Sequence, residues 1–321
     1  MTNNVSLTLG FNPAPNTRSL IDGSVRPAGI ELRVQSEFGE GFDNTGARHR
    51  AIIAGELAGG ELSISSFVLA RRRGVTLRAL PVFLSRKFRL RSMYCRADSP
   101  LRHPSELSGK RVTAHRYNSS TAVWLRGILE KEYGVTPESL HWFVAEPDYA
   151  EEALRPPPPE VRVSFISEPH TREHAIELVE QGEIDAALEP YPALASNPKL
   201  RHIVGDYRKA EEDYFRRNRV YTVNHLVALR EEVAEAHPWV PESLLTALRE
   251  AEAVANRYRT EKEKEEVAWE TEVMGEPFQY SLNRGCARKS LETLIEYQHQ
   301  QGILDEKPAF ESLFFPQVIN L

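Results

Sequence analysis

Hydrophobic and polar residues follow two different spacings along the chain, one typical of strands and one typical of helices. Val5, Leu7 and Leu9 alternate with polar residues, which predicts a strand at the start of the chain. Residues 120 to 133 repeat their apolar positions with helical spacing, and Gly134 follows them as a predicted helix end. Segments of the two kinds alternate over most of the chain. This order predicts an α/β fold with mixed, mostly parallel sheets flanked by helices.

A polar connection over residues 98 to 110 separates two sets of such elements, and a strand near residue 220 leads back to the first set. We therefore predict two lobes. The first lobe comprises residues 1 to 96 and 218 to 321, and the second comprises residues 97 to 217. Folds of this class bind ligands at strand ends and helix N-termini, so we predict a ligand cleft between the lobes.

Composition and charge narrow the classes of function. The chain has 321 residues, of which 41% are hydrophobic and 27% charged, and this is ordinary for a globular protein. The net charge of −6 gives no reason to expect a nucleic-acid partner. No apolar run reaches the roughly 18 residues of a membrane span, and the N-terminus has no signal-peptide pattern. Cys95 and Cys286 lie far apart without a CxxC neighbour, so we expect reduced thiols in a cytoplasmic protein.

A run of polar residues stands at the start of the helix predicted over residues 120 to 133. The run consists of Tyr117, Asn118, Ser119, Ser120 and Thr121. Capping needs one such residue, whereas several small hydroxyls leave room for an anion at the exposed N–H groups of the helix start. We therefore predict that this run contacts a negatively charged ligand. Trp124, one turn further on, either forms a wall of the same site or packs in the core.

Glu61 and the serines after it stand where the predicted strand "LSISSF" passes into a helix. The Glu61 carboxylate is a candidate general base or metal ligand, and the alternative is a helix cap or a surface charge. Ser63 and Ser65 either hydrogen-bond a ligand or cap the helix.

Two arginines are candidates for binding a carboxylate, because a guanidinium keeps its charge and forms two parallel hydrogen bonds to such a group. Arg18 lies in the turn after the first predicted strand. Arg86 opens the segment "RKFRLR", whose alternative interpretation is a solvated edge strand. We predict that Arg18 and Arg86 bind the ligand, and we expect Arg89 and Arg91 to be solvated.

His225 lies in the predicted strand "TVNHLVAL", and histidine is the side chain best suited to proton transfer near neutral pH. The alternative is a hydrogen-bonded histidine of the core. His115, at the end of the strand "RVTAH", is the next candidate. No HxH, HExxH or carboxylate cluster has the spacing of metal ligands, so we predict no metal and no cofactor. The sequence also lacks a GxSxG motif, a phosphate loop and a dinucleotide fingerprint.

Several stretches occur in a characteristic order across nearly the whole chain. They are LPVFLSRKFR, LSGKRV, STAVWLRGILEKEYGV, GEIDAAL, YTVNHLVALREEV, AHPWV and, near the end, QGIL and SLFFP. Together they resemble the 4,5-dihydroxyphthalate decarboxylase family, a cytoplasmic offshoot of the type 2 periplasmic solute-binding fold. The resemblance implies a two-lobed fold of that type, a catechol-type aromatic carboxylate as ligand, loss of CO2 as the reaction, and His225 as the family histidine.

The chain departs from the family pattern at three places. It reads NTRSLIDG where the family is closer to YDRTRPLxDG, and RVYTVNH where the family strand before the histidine is more apolar. Tyr191 precedes Pro192 where family members usually carry an arginine shortly before a proline. Tyr191 is therefore a candidate ligand contact, through its hydroxyl or its ring face.

The implied reaction needs a base, an acid and an anion clamp, because the electron-rich ring itself takes up the electrons. We assign His225 and Glu61 to catalysis and the other candidates to substrate binding. The prediction is non-oxidative decarboxylation of a 4,5-dihydroxyphthalate-like substrate in aromatic compound catabolism. Two alternatives stay open. One is a non-catalytic protein that binds or senses a small carboxylate, and the other is a lyase or hydrolase acting on another substrate in the same cleft.

An apolar cluster near the C-terminus bears on the partners of the chain. It consists of Leu313, Phe314 and Phe315. The cluster docks either on its own lobe or on a second subunit, so a homodimer stays open. The expected partner is otherwise the small aromatic carboxylate alone.

Overall fold

The computed structural model describes residues 4–38, 44–145 and 156–321. The chain forms two compact units. The first unit comprises Met1–Arg86, Val223–Lys289 and Pro308–Leu321, and the second comprises Lys87–Thr222 and Ser290–Lys307.

The described part of the chain alternates between strands and helices. The strands are β1 (Val5–Gly10), β2 (Ile30–Gln35), β3 (Gly59–Ser63), β4 (Leu77–Arg86), β5 (Met93–Arg96), β6 (Arg111–Ala114), β7 (His141–Val144), β8 (Arg162–Phe165), β9 (Ala186–Leu188), β10 (Leu200–His202) and β11 (Val223–Arg230). The helices are α1 (Arg18–Ile21), α2 (Asn44–Ala54), α3 (Ile64–Arg72), α4 (Ser120–Tyr133), α5 (Arg172–Gln181), α6 (Pro192–Ser196), α7 (Tyr207–Asn218), α8 (Glu231–Ala236), α9 (Val240–Val254), α10 (Glu261–Met274) and α11 (Ala287–Gln300).

The first unit contains a five-stranded sheet in the order β2-β1-β3-β11-β4. β1 pairs in parallel with β2 and β3, whereas β11 runs antiparallel to β3 and β4. The core of this unit joins the sheet to α9, and Leu9, Leu229 and Leu248 are among its buried members. β1 and β3 approach closely at Gly60, where an added Cβ would overlap the backbone of Gly10.

The second unit contains a six-stranded sheet in the order β10-β5-β9-β6-β7-β8. β9, β6, β7 and β8 are parallel neighbours, and β5 is antiparallel to β9 and β10. α4 begins shortly after β6 and buries Val123, Trp124 and Leu125. The helix ends at Gly134, whose φ of 68° is the left-handed conformation that favours glycine at a helix C-terminus.

The division into units differs from the predicted lobes at three places, one of which is the return to the first unit at Val223 and not at residue 218. The first unit ends at Arg86 and not at residue 96, because β5 forms its hydrogen bonds in the second sheet. Residues 290 to 307 also belong to the second unit. Their side chains pack there, and the ring of Tyr297 meets the ring of Trp124 edge to face at 5.7 Å.

The C-terminal apolar cluster packs within its own unit. Leu313, Phe314 and Phe315 are each buried, and the backbone N–H of Phe315 donates to the carbonyl of Ala79 in β4. No helix among the described residues combines the length and the apolar character that crossing a membrane requires.

Gly127 in α4 gives a stability prediction for the second unit. An added Cβ there would overlap the ring of Tyr297. The substitution Gly127→Ala is therefore expected to lower the free energy of unfolding by about 1–3 kcal/mol, as overpacked cores do. Gly205→Ala is the matched control, because nothing lies within 4 Å of its added Cβ. Urea unfolding of both variants checks this, and equal stability of the two would contradict the packing.

Candidate active site

The candidate site lies in the first unit, at the edge of the sheet where β1, β3 and β4 end. β11 runs in the opposite direction and therefore begins at this edge. His225, near its start, stands in register with Ser63 of β3 on one side and Ser85 of β4 on the other. Glu61 precedes Ser63 by two residues and so shares its face of the sheet.

Glu61 and His225 are hydrogen-bonded, although 164 residues separate them in the sequence. The Oε1 atom of Glu61 lies 2.6 Å from Nδ1 of His225. The side chain of Glu61 is 6% exposed and that of His225 is 20% exposed. The second oxygen, Oε2, accepts the backbone N–H of Asn12 at 3.0 Å. The carboxylate is therefore buried and hydrogen-bonded on both oxygens, and the imidazole reaches the surface of the unit.

The charge state of Glu61 follows from its surroundings. Burial raises the pKa of the carboxyl, but the charge of Arg48 and the hydrogen bond and charge of His225 outweigh burial and lower the pKa from 4.5 to about 2. Glu61 is thus a carboxylate at neutral pH and accepts hydrogen bonds only. Nδ1 of His225 must then carry a proton and donate it to this bond. In the neutral imidazole, Nε2 is consequently the nitrogen with the free lone pair.

Two consecutive residues of α2 hold β3 at this site. The side chain of Arg48 is fully buried, and its Nε donates to the backbone oxygen of Glu61 at 3.2 Å. Nε2 of His49 accepts the N–H of Ser63 at 3.3 Å. The ring of His49 also stands edge to face with that of His225, with centroids 5.2 Å apart.

Sequence reasoning missed Arg48 and His49, although the sequence carries a signal for them. They precede Ile52 and Ile53 by four residues each, so they continue the apolar face of the helix. Two polar residues on a buried face need partners, and here the partners are Glu61 and Ser63, two residues apart on β3. Ser85 was also missed, and only the register of β4 against β11 reveals it.

The two arginine candidates of the first unit, Arg86 and Arg18, differ in their surroundings. Arg86 forms an ion pair with Glu252 at 3.0 Å and donates to the hydroxyl of Tyr280 at 3.1 Å. Burial raises the pKa of Glu252, but Arg86, Tyr280 and Arg259 lower it to about 2, so the charge of Arg86 is balanced. Arg18 is exposed at the start of α1. Binding of ligand by Arg86 and Arg18 stays a prediction.

The two serines differ in position. Ser63 directly precedes α3, and its backbone N–H donates a hydrogen bond to Nε2 of His49. Ser65 lies inside the first turn of α3 and its side chain is completely buried. Of the predicted residues, the structure thus brings Glu61, Ser63 and His225 together.

The polar run before α4 lies in the second unit. Ser119 caps the helix, because its Oγ accepts the N–H of Ala122 at 3.3 Å. Asn118 and Ser120 are buried and Thr121 is half-buried. The predicted contact of this run with an anion stays a prediction.

The aromatic residues of that region are packed inside the second unit. Tyr117 is buried between Arg126 and Trp142. The guanidinium of Arg126 lies 3.8 Å from the centroid of the Tyr117 ring. Trp124 is fully buried. These contacts agree with the core alternative for Trp124 and give Tyr117 a packing role in addition to its predicted one.

Tyr191 donates its hydroxyl to the carboxylate of Glu173 at 2.8 Å. Burial and the hydrogen bond to Glu173 raise the pKa of Tyr191 to about 12, so the hydroxyl stays protonated. His115, directly after β6, is half-buried beside two arginines. Burial, Arg172 and Arg116 lower the pKa of His115 well below 6.5. A neutral histidine of this kind serves as a hydrogen-bonding group at neutral pH.

Metal ligation finds no support in the described ranges. No group of three or more His, Cys, Asp or Glu side chains there could hold a metal ion.

Two known proteins named 4,5-dihydroxyphthalate decarboxylase are similar in sequence. The one from Comamonas testosteroni is 30% identical over 259 residues, which cover 78% of this chain and 76% of that protein. The one from Pseudomonas putida is 27% identical over 221 residues, which cover 67% of this chain and 83% of that protein. No protein-family model matches the chain.

Solved structures show the same fold at low sequence identity. The periplasmic aliphatic sulphonate binding protein SsuA from Escherichia coli matches with a TM-score of 0.61 and 14% identity, over 98% of this chain and 99% of that chain. The desulfurization enzyme DSZB matches with a TM-score of 0.53 and 16% identity, over 98% of both chains. The predicted periplasmic-binding-protein-like α/β fold is thereby confirmed. Because a binding protein and an enzyme share it, the fold does not decide between the two.

Proposed function

The chain belongs to the 4,5-dihydroxyphthalate decarboxylase family, and we propose that it removes CO2 from a hydroxylated aromatic carboxylate by general acid and base catalysis. The names of its relatives support a carboxy-lyase. The observation that carries the mechanism is the 2.6 Å hydrogen bond between Glu61 and His225. It joins a buried carboxylate to an imidazole with an exposed edge, which is a common arrangement for a base with a fixed tautomer.

His225 is the base in the proposed reaction. Its Nε2 takes the proton from the substrate hydroxyl para to the leaving carboxylate. The electron pair of that O–H bond moves into the ring, and the carbon that bears the carboxylate gains a proton. The C–C bond to the carboxylate then breaks and CO2 leaves. Its electrons restore the aromatic ring and leave the para oxygen as a phenolate, which takes a proton from solvent. One proton is consumed overall, because the proton first taken from the hydroxyl replaces the carboxylate and solvent restores the hydroxyl.

Glu61 acts through His225. With its pKa near 2, the carboxyl keeps no proton to donate and is a weak base near neutral pH. It instead orients the imidazole and stabilises the imidazolium that forms when His225 takes up the substrate proton. The imidazolium then serves as the acid that protonates the ring carbon.

The names of the relatives support a 4,5-dihydroxyphthalate-like substrate. A 4,5-dihydroxyphthalate-like ring carries negative carboxylates next to two hydroxyls. The serine-rich start of α4 suits one of these carboxylates, because helix N-termini attract anions. We therefore propose that residues 117 to 121 contact substrate.

A direct test offers purified protein 4,5-dihydroxyphthalate and related hydroxybenzoates and follows CO2 release. We expect turnover of substrates that have a hydroxyl para to a carboxylate, and none of analogues in which that hydroxyl is methylated. The methyl ether is the matched control because it keeps the ring and both carboxylates. A ligand that is bound but recovered unchanged would favour the alternative, a carboxylate-binding protein.

A further inference from the structure

Arg48 stands out among the charged side chains of the first unit. It is completely buried, and its Nη2 lies 3.6 Å from Oε2 of Glu61. Nη1 and Nη2 make no hydrogen bond to any residue that the structure describes, and Nε donates to the backbone oxygen of Glu61. Within the described residues, Glu61 is therefore the acidic partner of this guanidinium. The two Nη atoms of such an arginine lose their hydration on folding, and no direct hydrogen bond within the described residues replaces it.

Such a residue contributes little to stability compared with an apolar side chain of similar length. Its effect is on charge. Arg48 keeps Glu61 a carboxylate, because its charge is the largest of the effects that lower the pKa of that carboxyl against burial. A carboxylate only accepts hydrogen bonds, so the imidazole must donate to it from Nδ1.

We propose that Arg48 is a positioning residue, which acts through Glu61 to hold His225 in the tautomer with its proton on Nδ1 and its lone pair on Nε2. The consequence for catalysis depends on the proposed function, because Nε2 is the atom that accepts the substrate proton there. The tautomer of the imidazole itself does not depend on it.

Other groups packed around the His225 ring could also affect which of its nitrogens carries the proton. Glu61 faces it from β3, and His49 faces it from α2. Ser85 of β4 stands in register beside it and does not titrate. His49 accepts a backbone N–H through Nε2, so protonation of that nitrogen would break an existing bond. Arg48 reaches the ring only through Glu61.

The test is 15N NMR of the histidine side chains in the full chain, with the His225 signal assigned by its loss in His225→Asn. In the wild-type protein at pH 7 we expect a protonated Nδ1 and an unprotonated Nε2. In Arg48→Met we expect the tautomer with the proton on Nδ1 to lose population, and kcat to fall about 10-fold or more with little change in KM.

Conservative variants separate charge from packing. Arg48→Lys keeps the charge and should retain most of the wild-type tautomer, whereas Arg48→Gln should behave like Arg48→Met. If Arg48→Met does not fold, the Lys and Gln variants give the same comparison. Arg91→Met is the matched control, because it removes a half-buried arginine that pairs with a buried glutamate, Glu211, in the second unit. It should leave the His225 signals unchanged.

Two results would overturn the proposal. One is a wild-type spectrum with the proton on Nε2, and the other is a neutral Arg48 variant that keeps the wild-type spectrum and kcat. Failure of the decarboxylase function would look different. It would leave the NMR result as expected and give no CO2 from the wild-type protein.

Discussion

Replacing His225 with asparagine is expected to lower kcat by about 10²- to 10⁴-fold, the usual contribution of a general acid or base. The imidazole is the group in the Glu61–His225 pair that exchanges protons near neutral pH, and an amide cannot take its place. The fold should survive, because the side chain is partly exposed and asparagine is smaller.

The measurement is CO2 release under saturating substrate, with thermal unfolding recorded in parallel. His202→Asn is the control, because His202 is a half-buried histidine of the second unit that bonds to the backbone oxygen of Arg91. A fully active His225→Asn variant would remove His225 from the mechanism. Loss of activity together with loss of folding would have to be resolved with His225→Gln.

Replacing Glu61 with glutamine is expected to lower both the stability and the activity of the protein. The substitution leaves the buried Arg48 without its carboxylate, and the pKa of Glu61, lowered from 4.5 to about 2, measures what is lost. We expect about 3 kcal/mol of destabilisation at pH 7. We also expect kcat to fall by about 10-fold or more, because His225 loses the group that orients it.

The same substitution should change how stability depends on pH. A carboxyl whose pKa is depressed by folding stabilises the protein above its unfolded pKa, and this contribution is lost as pH falls through the folded value. For Glu61 that window runs from about 4.5 down to about 2. The stability difference between wild type and Glu61→Gln should therefore shrink by about 2 kcal/mol between about pH 5 and pH 3.

Urea unfolding at several pH values checks this expectation. Glu252→Gln is a useful comparison, because the pKa of Glu252 is also lowered to about 2 and its partners are Arg86 and Arg259. Its stability deficit relative to wild type should likewise shrink as pH falls from about 5 to about 3, while the His225 NMR signals stay unchanged. A stability difference for Glu61→Gln that stayed constant with pH would mean that Glu61 is not held as a buried carboxylate.

The sequence was sufficient for much of the fold because its hydrophobic spacing is local. Val5, Leu7 and Leu9 lie in β1, and the predicted helix at residues 120 to 133 matches α4 with its Gly134 end. The boundary near residue 86 was misplaced because β5 is short. Its membership in the second sheet depends on pairing with β9 and β10, about 90 or more residues later.

The site was harder to predict because its contacts are distant in the sequence. Glu61 and His225 were selected separately, and only the antiparallel pairing of β3 with β11 shows that they meet. Arg86 seemed free to bind an anion because its partner, Glu252, lies in α9 and no local pattern links the two. Charge balance inside a fold depends on tertiary structure, so sequence spacing identified candidate residues without identifying their partners.

The most direct test of the account is turnover of 4,5-dihydroxyphthalate by the wild-type protein in D2O. We expect CO2 to be released above the buffer blank and one deuterium to appear in the product, on the ring carbon that carried the carboxylate. This result would follow from proton transfer to that carbon at the Glu61–His225 pair, and it should vanish in His225→Asn. Recovery of the unchanged compound, bound or free, with CO2 no higher than the blank would contradict the account.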